Sequence, residues 1–151
     1  MIELREEGLA RSIGVSNFRV ADLERLVAET GVVPALNQIE LHPGFQQREL
    51  QRVHRDMGIV TQTWSPLGQG QTIKHPIIQA IAEETRRPAG AVIIRWHIQH
   101  GFSTLPKASQ RAHMEANYAA LSFELSEDQM ARIDGMDDPD GRIGPDPAVF
   151  N

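Results

Sequence analysis

Four short runs of apolar and β-branched residues, at 12–16, 35–41, 59–64 and 102–105, alternate with longer stretches whose apolar residues recur every three or four positions. That alternation constrains the fold more than any other feature. A strand, an amphipathic helix and a second strand make a βα unit, and such units in series build a parallel sheet covered by helices. Val20, Leu23 and Val27 share one helical face, as do Leu50, Val53, His54 and Met57; Ile77, Ile78, Ile81 and Thr85 repeat the pattern, and so do Ala89, Val92, Ile93 and Trp96. Two further helices are expected at 109–121 and 127–135, the second opened by Ser126 with Gln129 three residues on, the spacing of a capping box. After Met136 the pattern dissolves into Asp137-Asp138-Pro139-Asp140-Gly141, and 137–151 reads as an irregular C-terminal arm. The expectation is an α/β fold of four βα units plus this arm. Four units do not close a barrel, whereas eight do at about 250 residues. Periodicity alone leaves a small open sheet and half of a barrel both open.

Composition narrows the function rather than the fold. The 151 residues suit one domain, and 40% hydrophobic with 23% charged residues is globular composition. A net charge of −5 disfavours phosphate tracking, so no nucleic-acid partner is expected. The absence of cysteine removes disulfides, thiolate zinc sites and a cysteine nucleophile together. No apolar run approaches the roughly 18 residues of a membrane helix. The charged opening Met1-Ile2-Glu3-Leu4-Arg5-Glu6-Glu7 is not a signal peptide, and a cytoplasmic chain is expected.

Polar groups gather where the strands end. Ser16-Asn17 follow the first, Gln38, Glu40 and His42 share one face of the second, Trp64-Ser65-Pro66-Leu67-Gly68 close the third, and Pro106-Lys107-Ala108-Ser109 follow the fourth. A glycine-containing turn with a lysine beside a helix start suits an anion. An indole at a strand end suits stacking on a flat heteroaromatic ring. Together they point to a phosphorylated aromatic cofactor.

Four runs in series, Arg11-Ser12-Ile13-Gly14-Val15-Ser16-Asn17-Phe18, Asn37-Gln38-Ile39-Glu40-Leu41-His42-Pro43, Trp64-Ser65-Pro66-Leu67-Gly68 and Leu105-Pro106-Lys107, resemble the aldo-keto reductases, most strongly the bacterial 2,5-diketo-gluconate reductase-like branch. The resemblance covers essentially the whole chain. It implies the C-terminal half of a (β/α)8 TIM barrel, strands five to eight with their helices and the arm, in a family that reduces carbonyls with NADP(H). It also implies roles for particular residues. Ser16, Asn17 and Gln38 match the positions that hydrogen-bond the nicotinamide carboxamide, and Trp64 the aromatic under the ring. Ser65, Leu67 and Gly68, with Gln69 close behind, match the pyrophosphate loop; Lys107 matches the lysine facing the 2′-phosphate and Asn117 the contact to adenine. Ala108 stands where the family has Ser, with Ser109 next to it; His113 stands where Arg is usual, and Ala116 where Glu is usual. A histidine is a weaker phosphate partner than an always-charged, bidentate arginine. NAD(H) therefore joins NADP(H) as a cofactor to consider, with Arg111 two residues away as partial compensation.

The resemblance places the family's proton-donating Tyr, its Lys and Asp partners and its substrate-orienting His in the first half of the barrel. The single tyrosine here, Tyr118, sits in an expected helix beside the adenine motif and is no candidate acid. The sequence thus reads as a cofactor-holding half that opens with the helix before the fifth strand, without catalytic residues of its own. Met1 is then an internal methionine of a longer frame or the start of a shortened gene. A small carbonyl substrate is expected only if the missing half is supplied, and a catalytically silent nucleotide-binding or interaction fragment is the competing reading. Open sheet edges would favour self-association. Other features have plainer readings: Trp96 as packing, Glu40 and His42 as groups that tie down loops, His54 as a satisfied buried histidine, and Glu83-Glu84 with Arg86-Arg87 as a solvated face. His97 and His100 are spaced to share a metal, yet no cysteine or carboxylate motif accompanies them, so no metal site is expected.

Overall fold

A computed structural model describes residues 1–149; Phe150 and Asn151, the end of the arm, lie outside them. The strands β1 (Val15–Ser16), β2 (Leu36–Glu40), β3 (Val60–Trp64) and β4 (Ser103–Thr104) form one sheet in the order β1-β2-β3-β4. Strand β1 pairs in parallel with β2, Val15 opposite Asn37 and Ser16 opposite Gln38. Each expected strand is present and shorter than its apolar run. The lost residues still contribute to the ladder: Ala35 N–H donates to the Ile13 carbonyl at 2.9 Å and Leu105 N–H to the Thr63 carbonyl at 3.3 Å. The runs therefore mark extended chain that reaches beyond the named strands.

The backbone divides into two units. The first comprises Met1–Ile39, Gln47–Gln62 and the chain from Pro145 onward. It holds α1 (Ile2–Glu6), β1, α2 (Val20–Thr30), most of β2 and α3 (Arg48–Met57). Leu23, Ile39, Leu50 and Ile59 are its buried apolar residues, supplied by the helical and strand faces that periodicity marks. The start of α2 is closed by Arg19 and Asp22, Arg19 N–H donating to the Asp22 carboxylate at 2.9 Å. That carboxylate, beside the Arg19 guanidinium, has its pKa held down to about 2.

The second unit comprises Glu40–Gln46 and Thr63–Gly144. Two 3₁₀ turns, Gly68–Gly70 and Thr72–Lys74, lead into α4 (Pro76–Thr85) and α5 (Ala89–Gln99). After β4 come α6 (Arg111–Tyr118), a third 3₁₀ turn (Ala119–Ser122) and α7 (Glu127–Asp134). Helix α5 buries Ala91, Val92, Ile93, Ile94, Trp96 and His97, more than one face, as a central helix does. The helix expected over 109–121 is broken at Tyr118, because the tighter turn directs Ala120 into a buried cluster with Ala91 and Ile94. The capping box on α7 is present, with Ser126 Oγ accepting from Gln129 N–H at 3.2 Å and Gln129 Oε1 from Ser126 N–H at 3.0 Å. No helix among the described residues is long and apolar enough to cross a membrane.

Candidate functional site

In the first unit, sheet register brings Ser16, Asn17 and Gln38 together. Ser16 lies opposite Gln38. Its Oγ donates to the Gln38 carbonyl at 3.2 Å, and Asn17 N–H donates to the same oxygen at 2.9 Å. The Gln38 side-chain amide donates to Gln62 Oε1 at 2.8 Å. Gln62 is a residue that sequence reasoning missed, although its place two positions before Trp64 was a signal that it shares the polar face. Behind this edge stands a closed polar network. Asn37 Nδ2 donates to the Phe18 carbonyl at 2.8 Å and lies 3.1 Å from His54 Nε2, while Phe18 N–H donates to Asn37 Oδ1 at 3.3 Å. With Asn37 donating, His54 Nε2 accepts and its proton sits on Nδ1, facing Thr61 Oγ1 at 2.8 Å. Burial pushes the His54 pKa down to about 4, so the ring is neutral, as that network requires.

In the second unit, Ser65, Pro66, Leu67, Gln69, Gly70 and Lys107 join Ile73 and Leu105 around a cavity of about 310 Å³. Pro66 is held from below: His97, wholly buried, donates from Nε2 to its carbonyl at 3.2 Å. Burial drives the His97 pKa down to about 3, opposed by that carbonyl. The turn is tight. Gly68 N–H donates to the Ser65 carbonyl and Gly70 N–H to that of Leu67. Gly68 sits at φ +57°, and a side chain there would strike Thr72 Oγ1. Among the described residues five non-glycines have positive φ, and Gln47 and Arg86 of these flank helices. The other three are Asn17, Ser65 and Gln69, all on the strand-end loops that the sequence singles out. Such backbone costs about 1–3 kcal/mol per residue and concentrates where function over-determines it.

Lys107, Ala108 and Ser109 precede α6, whose N-cap residue Gln110 makes no side-chain cap. His113 is exposed on its first turn and Asn117 half-buried one turn later, on the same face. Neither lines the cavity. Arg111 pairs with Glu115, Nε to Oε1 at 2.7 Å, both side chains exposed. Tyr118 is 75% exposed on α6. His97 and His100 serve separate ends: His100 Nε2 lies 2.9 Å from Asp134 Oδ1, which also accepts from Trp96 Nε1. No group of three or more potential metal ligands occurs among the described residues.

Glu40 and His42 also have partners. The Glu40 carboxylate accepts from Ile143 N–H at 2.6 Å and Gly144 N–H at 2.9 Å, with His42 Nε2 at 3.4 Å. Burial lowers the His42 pKa against the pull of that carboxylate. These groups tie down a loop, as expected, and the loop is the arm.

The chain matches the model of the aldo/keto reductase family over residues 1–75 and 73–138. It is 49% identical over 148 residues to an aldo-keto reductase of Mycobacterium sp. (strain JLS), covering 98% of this chain and 53% of that protein. It is 40% identical over 152 residues to the methylglyoxal reductase DkgA of Yersinia pestis, covering 99% of this chain and 54% of that one. A solved structure of a Gox0644 mutant in complex with NADPH superposes with a TM-score of 0.97 at 44% identity, covering 99% of this chain and 55% of that one. The chain spans about half the length of the relatives it matches.

Proposed function

The chain belongs to the aldo/keto reductase family, and from that premise we propose that it is the dinucleotide-holding part of an NADP(H)-dependent carbonyl reductase, carrying strands five to eight of a (β/α)8 barrel with the arm. The observation that carries the reading is the cavity of about 310 Å³ on which Ser65, Leu67, Gln69 and Lys107 converge. The residues fit the ligand chemically. A carboxamide needs donors and acceptors together, and Ser16, Asn17 and Gln38 bring a hydroxyl and two amides together where β1 pairs with β2. A pyrophosphate needs a tight backbone turn, and a 2′-phosphate needs a cation such as Lys107. Trp64 would lie under the nicotinamide, and Asn117 would meet the adenine.

When bound, the dinucleotide supplies a hydride to the carbonyl carbon. These residues would bind and orient it; none is placed to protonate the oxygen that becomes the alcohol. Tyr118, the one phenol, is on α6. That proton would come from outside this chain, and a small carbonyl, as in the relative named methylglyoxal reductase, would be reduced only with the complementary half present. The strand order leaves β1 and β4 at the edges of the sheet, which supports self-association or pairing with that half. His113 and Ala108 weaken the 2′-phosphate site, so NAD(H) is accepted as well. The test is titration with NADPH and NADH, read by tryptophan fluorescence. Quenching by both is expected, and His113→Arg shifts preference toward NADPH by about tenfold, the gain of a bidentate charge-assisted contact. No quenching by either dinucleotide would end the reading; an unmoved preference would remove His113 from the site.

A further inference from the structure

The second unit carries a device that the cofactor reading does not use. From α7 onward the chain is strapped to the hairpin that follows β2. Gln46 N–H donates to Asp137 Oδ1 at 2.8 Å, Asp138 N–H to the Gly44 carbonyl at 3.3 Å, and the Arg142 guanidinium lies over the Phe45 ring, 4.6 Å from its centroid. The strap ends on Glu40, whose side chain is wholly buried and accepts the Ile143 and Gly144 N–H groups. At that point Gly144 lies against the indole of Trp64. A methyl placed on it would overlap Trp64 Cη2, lie 3.3 Å from Cζ3 and lie 2.8 Å from Glu40 Oε2. Only a residue without a side chain lets the strap reach the carboxylate and the ring edge together.

We propose that Glu40 is a positioning residue: its buried carboxylate clamps the strap and, through Gly144, fixes the benzo edge of the Trp64 indole. The proposal rests on the reading above only in that Trp64 is the surface on which the nicotinamide would lie. A buried carboxylate satisfied by two N–H donors is a strong, directional anchor. A contact at the far edge of an indole limits its rotation about χ1 and χ2, so Gly144 acts on the ring plane. The partners of Glu40 lie 103 and 104 residues away in sequence, so the clamp also makes the ring plane depend on the end of the chain.

Glu40→Gln replaces one acceptor oxygen with an NH₂ donor facing an N–H. Gly144→Ala leaves the carboxylate intact and drives a methyl into the ring. The readout is the pair of indole N–H signals in an ¹⁵N–¹H spectrum of the full chain without ligand, with Trp96 as internal reference. In both variants the Trp64 signal is expected to shift and exchange faster with water while the Trp96 signal stays. NADPH affinity falls about tenfold in both variants as the ring leaves its plane. A Trp64 signal unmoved by Gly144→Ala, or two indole signals that move together, would overturn the proposal. If Glu40→Gln fails to fold, Gly144→Ala alone decides. Failure of the unsubstituted chain to bind NADPH would sink the dinucleotide reading and leave the ligand-free spectra to judge Glu40.

Discussion

The two units treat buried polarity in opposite ways. In the first, Asn37, His54 and Thr61 form a continuous chain of hydrogen bonds in which both ring nitrogens of His54 are partnered. In the second, His42 Nδ1, Thr63 Oγ1, His97 Nδ1 and Thr104 Oγ1 are buried with no hydrogen-bond partner. Each such atom costs about 1–3 kcal/mol relative to a satisfied one. The first unit uses its network to lock β2 against α3 and the loop after β1, which fixes Ser16, Asn17 and Gln38 from behind. The second holds Ser65 to Gly70 by left-handed backbone, a carbonyl contact from one buried histidine and a strap on Glu40. The unpartnered atoms of the second unit lie on β3, β4, α5 and the turn after β2, beside the Ser65 to Gly70 loop rather than on it.

The largest expected effect that tests this contrast is with acid. An unfolded chain protonates His54 near its ordinary pKa of 6.5, whereas the folded ring resists until about 4. Between those values the unfolded state binds more protons, so stability is complete above about pH 6.5 and falls as pH drops toward 4, by up to about 3 kcal/mol from this residue. The urea midpoint measured against pH should show that slope, and His54→Leu should flatten it. A slope that survives the substitution would mean that other groups carry the acid sensitivity. Next in size is Asn37→Ala. Wholly buried, Asn37 bonds both Phe18 backbone groups and His54, and its loss is expected to cost about 2 kcal/mol in denaturant unfolding. A change below half of that would show the network to be replaceable and the contrast between the units overstated.

Much of this was legible in the sequence, for identifiable reasons. Period-two and period-3.6 patterning report which way a residue faces, so the strands and α2 to α5 could be read directly. Ser16 could be placed at a strand end because the run 12–16 stops there, and Gln38 on the face of β2 that Glu40 shares because the two are spaced by two residues. Periodicity does not report distant partners. The 103-residue reach from Glu40 to Ile143 crosses an arm without any period. The pairing of Gln38 with Gln62 joins β2 to β3 across 24 residues, which no local pattern reports. The left-handed backbone at Ser65 and Gln69 had no glycine to announce it.

Thr61 and Thr63 give the finest test, because the sequence makes them alike and the structure does not. Both lie on β3, two residues apart on the same buried face, 7% and 0% exposed. Thr61 Oγ1 accepts a hydrogen bond from His54 Nδ1–H at 2.8 Å; Thr63 Oγ1 has no partner. Valine has almost the same shape as threonine and removes only the hydroxyl, so the same substitution measures the hydrogen bond at one site and its absence at the other. Thr61→Val is expected to cost about 1–2 kcal/mol, because it also strands the His54 N–H. Thr63→Val deletes an already unpaired polar atom and should be neutral or stabilising by up to about 1 kcal/mol. Chemical denaturation of both variants under one condition gives the difference directly. Equal costs would mean that the Thr63 hydroxyl is paired after all, and that the second unit is as fully hydrogen-bonded as the first.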